Sequence, residues 1–314
     1  MAVQSKWQSL PTEAINPSTL AIDKLSPADI VEGMLNEDRK MLAAVHREKD
    51  RIAVGIEIVT HALRKGGRVV FVGAGTSGRL GVVESAEMPP TFGTKPDLVL
   101  AVMAGGQDAV MRAKEGVEDH YEEGARSINR LRATKDDVVI GVSASGMTPF
   151  VRGALTRARR AGSKIIFVTC DPRTELQTFV DLTIAPAVGP EVIAGSTRLK
   201  AGTATKLVLN MLTTGAMVRI GKTYGNLMVD VQAGSEKLRD RARRIITIVT
   251  GLEYDAADEL LHRAKGDVKA AIVMQKTGLT YAKAMVRLRK AHDVVRDAIG
   301  EDAEARLKQL LEIE

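Results

Sequence analysis

Four short apolar runs separated by amphipathic segments constrain this chain more than anything else in it. After Gly66 and Gly67 come RVVFVG, LVLAVM, DVVIGV and KIIFVT, with helix-compatible stretches of a dozen or more residues between them. A run that is apolar throughout buries both faces of its strand, and alternation of such strands with helices covers both faces of a parallel sheet. The expectation is an α/β fold, a doubly wound parallel sheet sandwiched by helices. A fifth run, DLTIAP, ends at Pro186, and a helix-compatible stretch from Arg198 to Ile220 would cover one face of the sheet or a subunit contact.

Either side of this nucleus the pattern changes. Residues 1 to about 25 carry Pro11 and Pro17 in a polar context and read as an extended arm. Ser26 followed by Pro27 is a helix start, a cap with proline at the first helical position, and helical patterning continues to about Lys65. From Gly251 the chain breaks into short amphipathic helices punctuated by Gly266, Gly278 and Gly300, which reads as a small all-helical module. The organisation expected is an arm and helix over 1–50, a ligand-binding sheet domain over 51–235 and a C-terminal helical subdomain over 236–314.

Charge and composition narrow the partners. There are 45 basic and 39 acidic residues, a net charge of +6, but the basic residues are mostly interleaved with acids. The densest basic cluster, Arg239 to Arg244, lacks the nearby aromatics of a nucleic-acid surface and reads as a solvated helix face. A mild positive bias suits a small anionic substrate. The single cysteine, Cys170, excludes an internal disulfide and reads as a core thiol. No Cys and His cluster has zinc spacing, so no metal site is expected, and His46, His61, His120, His262 and His292 have no nucleophile or ligand partner in the sequence. The first thirty residues lack a basic start followed by an apolar run, and no apolar segment reaches membrane-spanning length, so the expected compartment is the cytoplasm, without a membrane partner.

The stretch VVFVGAGTSGRLG satisfies G-x-G-x-x-G after a strand, with Gly73, Gly75 and Gly78 in the glycine positions. A dinucleotide site needs an acid at the end of the second strand to hold ribose hydroxyls, and LVLAV runs instead into Met103-Ala104-Gly105-Gly106. Thr76 and Ser77 place two hydroxyls inside the turn, with Ser77 where a helix N-cap would stand. DVVIGV then ends in SASGMTP, placing Ser143, Ser145 and Thr148 ahead of a helix that starts near Pro149. Neighbouring parallel strands release their loops on one sheet edge, so two hydroxyl-rich loops at helix N-termini converge on a small dianion. That favours a sugar phosphate over a nucleotide cofactor.

These segments, with EGVED, GSTRLKAGTATKLVLNMLTTGAMVRIGKTYGNLMVDV and, in the arm, TEAINPSTLAIDKLS, closely resemble the N-acetylmuramic acid 6-phosphate etherases, a branch of the sugar isomerase (SIS) domain superfamily. The resemblance runs from the arm to the end of the helical tail. It implies an SIS-type sandwich with a small C-terminal helical subdomain, and a homodimer with active sites near the subunit interface. It also implies a lyase reaction in which the D-lactyl ether at carbon 3 of N-acetylmuramic acid 6-phosphate is cleaved to N-acetylglucosamine 6-phosphate and D-lactate, in cell-wall amino-sugar recycling.

Two pairs of glutamates, Glu84 with Glu87 and Glu115 with Glu118, have i,i+3 spacing, which predicts each pair on one side of a helix. The resemblance places the family's two active-site acids on Glu87, in the S-E-x-P-P segment, and on Glu118, at the end of E-G-x-E. In the reaction so implied, a carboxylate takes the proton on carbon 2 of the ring-opened aldehyde, acidified by the adjacent carbonyl, and a second carboxyl protonates departing lactate before water adds at carbon 3. Glu118 is assigned as base and Glu87 as acid; no metal or nucleotide cofactor is needed for such proton transfers. STRLK contributes Ser196, Thr197, Arg198 and Lys200, and Lys200 is the cation expected to reach phosphate or the lactate carboxylate. Two alternatives remain open at this level: a non-catalytic SIS-domain sensor of sugar phosphates, which has no need of both glutamates, and an aldose-ketose isomerase, which would also use a carboxylate at carbon 2.

Overall fold

The computed structural model describes residues 10–231 and 235–312. The first nine residues of the expected arm, residues 232–234 beside the expected boundary at 235/236, and residues 313–314 of the tail lie outside the described residues. The rest of the arm is not extended. It forms three short 3-10 turns, Pro11–Glu13, Pro17–Thr19 and Ile22–Lys24, because Asn16 accepts from the Ser18 amide at 2.9 Å and Pro11 and Pro17 each set the φ that opens a turn.

Helix α1 (Pro27–Arg47) starts where Ser26 caps the Asp29 amide and Pro27 fills the first position, and α2 (Lys49–Arg64) follows after Glu48. The sheet then builds as β1 (Val69–Gly73), α3 (Gly75–Phe92), β2 (Val99–Met103), α4 (Gly106–Met111), α5 (Tyr121–Arg130), β3 (Val138–Val142), α6 (Pro149–Arg160), β4 (Lys164–Val168) and β5 (Leu182–Ile184), before α7 (Lys200–Arg219). All pairings are parallel and the strand order is β2-β1-β3-β4-β5. Val70, Val72, Val139, Ile165 and Phe167 pack with Phe150, Val151, Ala154 and Leu155 of α6 in one buried cluster, as the unbroken apolar runs require. The chain leaves β1 toward β2 on one side and returns to β3 on the other. The order reverses there, so the loops after β1 and β3 open a crevice at the carboxyl ends of adjacent strands.

Contacts divide the chain into two compact units. One holds the sheet and comprises the chain through Ala86 with Asp97–Thr213; the other comprises Glu87–Pro96 and the chain from Thr214 onward. The second contains α8 (Glu236–Thr250), α9 (Tyr254–Arg263), α10 (Val268–Thr277), α11 (Tyr281–Lys290), α12 (Val295–Ile299) and α13 (Ala303–Leu311). Its core gathers Ile246, Val249, Leu260, Leu261, Ile272, Val273 and Leu288 around α10, whose residues Val268–Met274 are all buried. Two of the basic residues of α8 are paired, Arg243 with Asp258 and Arg244 with Asp240 at 2.9 Å. Among the described residues, no helix is long and apolar enough to cross a membrane.

Candidate active site

The loops after β1 and β3 are shaped by what their glycines leave out. A Cβ on Gly73 would lie 2.6 Å from the Gly78 amide nitrogen, and one on Gly78 would lie 2.8 Å from the Gly73 carbonyl oxygen and from Met103 Cγ. The turn therefore folds back on its own strand in a way that only glycine permits at both positions. Helix α3 begins at Gly75, so Thr76 and Ser77 both stand in its first turn. Ser77 is not the cap that the sequence suggests; the hydroxyls join unpaired first-turn amides instead of replacing them.

In the second loop, Ser143 is buried, and its Oγ lies 2.8 Å from Thr148 Oγ1 and 3.5 Å from Ser145 Oγ. Thr148 is the N-cap residue of α6, but its side chain makes no capping bond and is turned to Ser143. Thr76, Ser77, Ser143, Ser145 and Thr148 line one cavity of about 330 Å³ with Glu13, Arg79, Lys114, Glu115, Glu118 and Thr197 among its other walls. Two helix N-termini and five hydroxyls thus face a common space, an arrangement that holds a small anion. A larger cavity of about 470 Å³ in the helical unit, between Tyr224, Val249 and Leu307, has no such convergence of hydroxyls.

The glutamates fall differently from their spacing. Glu118 lines the cavity from a 3-10 turn, Val117–Asp119, and Glu115 from the bend before it; neither stands on an α-helix. Gly116, at φ 76, is in the left-handed region and stops helix formation between the two. On α3, Glu84 is buried, accepting hydrogen bonds from Asn210 Nδ2 and Thr213 Oγ1, whereas Glu87 is exposed. The pair does not share one side. Glu87 is not among the residues lining the cavity.

Lys200 corrects the sequence reading most clearly. It is 2% exposed and its ammonium is paired with the Glu37 carboxylate, itself buried. It does not line the cavity. Burial alone would raise the Glu37 carboxyl, but hydrogen bonds from Lys200, Lys40 and Asn16 outweigh that and bring it down to about 2. Glu191, fully buried, accepts from the Lys200 and Ala201 amides at 3.0 and 2.9 Å and so caps α7. Burial pushes the Glu191 carboxyl up, against those two amides. These carboxylates fix the start of α7, next to Thr197. Cys170 is buried as expected, and burial, with Glu191 nearby, pushes its thiol up to about 12.

Three charged cavity residues, Arg79, Lys114 and Glu13, escaped the sequence reading. Arg79 follows the glycine turn directly, and its Nε and Nη2 donate to the Val110 and Ala109 carbonyls at 2.9 and 2.7 Å, which holds the guanidinium at the wall. Glu13 comes from the arm. Its position depends on contacts across the chain: the Gly195 amide donates to Thr12 at 3.2 Å, Asn16 Nδ2 to Pro190 at 3.2 Å, and Thr19 Oγ1 to Val192 at 3.0 Å. Among the described residues, no group of three or more His, Cys, Asp and Glu side chains is placed to hold a metal ion.

Comparison with known proteins agrees with this geometry. Residues 51–159 match the model of the glucokinase regulatory protein N-terminal SIS domain, and residues 115–215 match the SIS domain model. The N-acetylmuramic acid 6-phosphate etherase of Salinibacter ruber is 50% identical over 296 residues, covering 94% of this chain and 95% of that protein. The protein of the same name from Trichormus variabilis is 50% identical over 290 residues, covering 92% and 94%. That from Clostridium beijerinckii is 44% identical over 294 residues, covering 94% and 97%.

Proposed function

This chain belongs to the N-acetylmuramic acid 6-phosphate etherase family, and from that premise we propose how its cavity carries out the reaction. The chain is an enzyme acting on N-acetylmuramic acid 6-phosphate in cell-wall amino-sugar metabolism; a purely regulatory role is not favoured. The lyase chemistry and the residue roles that follow are our reading.

The phosphate is held between the two loops, by the first-turn amides of α3 and α6 and the hydroxyls of Thr76, Ser77, Ser143, Ser145 and Thr148. Its remote binding energy positions the sugar. Glu118 takes the carbon-2 proton of the open-chain aldehyde. The resulting enolate expels D-lactate by breaking the carbon 3–oxygen bond as Glu87 protonates the ether oxygen. Water then adds at carbon 3 with the two carboxyl groups exchanging roles, and the proton returns to carbon 2. The observation that carries this reading is the presence of Glu118 in the same cavity as both hydroxyl loops.

Glu87 is exposed and does not line that cavity. We therefore propose a homodimer in which one copy's Glu87 serves the cavity of the other. The proposal has a direct chemical test, turnover of N-acetylmuramic acid 6-phosphate in oxygen-18 water. Elimination and addition puts the label in the amino-sugar phosphate and leaves D-lactate unlabelled, whereas label in lactate would mean cleavage on the lactyl side and would reject the mechanism.

A further inference from the structure

We propose that Glu13 is a substrate-binding residue, its carboxylate accepting a hydrogen bond from a neutral donor of the sugar, a hydroxyl or the acetamido N–H, while the two loops hold the phosphate. The inference rests on the reading of the cavity as a sugar-phosphate site. Glu13 lines that cavity together with Glu118 and the loop hydroxyls, although it comes from the arm and not from the sheet. Its carboxylate has no hydrogen bond or ion pair among the described residues.

The residues around it are fixed. Thr12 and Asn16, on either side, are both buried, and both are tied to the segment before α7 through Gly195 and Pro190. Gly195 is shaped to the carboxylate: a Cβ there would lie 2.9 Å from Glu13 Oε2, and its φ of 77 already disfavours any other residue. The arm thus delivers one unpaired acceptor to a defined place.

An ionised carboxylate accepts hydrogen bonds and donates none. Exposed at the cavity and beside a site built for a dianion, it repels phosphate and accepts from a neutral N–H or O–H of the ligand in place of water. Glu13 therefore distinguishes a sugar phosphate from phosphate alone. It also makes the arm part of the site.

The test uses the full-length protein with Glu13→Gln and Glu13→Asp. Four quantities are measured: KM and kcat for N-acetylmuramic acid 6-phosphate, competitive inhibition by N-acetylglucosamine 6-phosphate, competitive inhibition by inorganic phosphate, and the thermal midpoint. Loss of a charged hydrogen bond to the sugar should weaken the amino-sugar phosphate by about 10- to 100-fold. Inhibition by inorganic phosphate should be unchanged or stronger in Glu13→Gln, because a like charge has gone, and the midpoint should stay at the wild-type value. Wild-type inhibition by N-acetylglucosamine 6-phosphate in Glu13→Gln would overturn the proposal. So would equal weakening of phosphate and sugar phosphate with a lowered midpoint in both variants, which marks a structural role. If the wild-type protein itself neither turns over nor binds the amino-sugar phosphates, the reading of the cavity fails, and that outcome is visible before any variant is compared.

Discussion

Replacing Lys200 by Met separates two accounts of this residue. As a substrate cation it would be exposed to the cavity, and its loss would raise KM without affecting stability. The structure instead buries it against Glu37. Lys200→Met leaves that carboxylate buried with only Asn16 and Lys40, and the Lys40 side chain is 60% exposed. Breaking a buried pair from one side costs about 3–5 kcal/mol, and the two surviving partners place this case near about 3 kcal/mol. With each kcal/mol shifting the midpoint by roughly 2–4 °C, the expected fall is about 6–12 °C at neutral pH. Glu37 adds a pH signature. Its folded pKa of about 2 lies below the ordinary 4.5, so its contribution to stability is complete above pH 4.5 and is lost as pH falls from there toward 2. The gap between wild type and Lys200→Met should therefore narrow across that window, and Glu37→Gln combined with Lys200→Met should recover part of the loss at neutral pH. Thermal unfolding followed by circular dichroism reads all three proteins. A variant with the wild-type midpoint and a tenfold higher KM would refute the reasoning and return Lys200 to the substrate.

Glu118→Gln should lower kcat by about 10²- to 10⁴-fold with the thermal midpoint unchanged. Glu84→Gln should keep turnover but lose about 1–2 kcal/mol of stability, because Glu84 holds Asn210 and Thr213 and is buried; denaturant unfolding measures it. Glu87→Gln and Glu118→Gln, each inactive alone, should regain activity when mixed and allowed to exchange subunits, since one of the two sites in the mixed dimer has both acids intact; no recovery despite proven exchange would put both acids in one chain's site. Gly73→Ala should abolish competitive inhibition by inorganic phosphate, because the added Cβ would stand 2.6 Å from the Gly78 nitrogen and 2.8 Å from the Ser77 carbonyl carbon, in the backbone of the turn itself.

What was legible in the sequence, and what was not, divides by the reach of the forces involved. The central strands β1, β3 and β4 were legible because burial on both faces demands unbroken apolar runs, and the two cavity loops because their glycines and hydroxyls act within a few residues of the strand that precedes them. Glu118 was assigned to a helix from spacing alone; Gly116, two residues before it, decided otherwise through a positive φ, a signal present in the sequence and outweighed by the i,i+3 pattern. Lys200 was misread for another reason. A cation at a helix start looks the same whether it faces solvent, ligand or a buried acid, and the acid that decides it stands 163 positions away. Glu13 escaped notice on the same grounds, since the bonds that carry the arm to the cavity join Asn16 to Pro190 and Thr19 to Val192 across more than 170 residues. A charged side chain takes its role from its partner, and partners are chosen by the fold. Turn chemistry therefore located the two hydroxyl-lined loops of this cavity from sequence, whereas the charged groups around them could be placed only when the arm, α1 and the start of α7 were seen together.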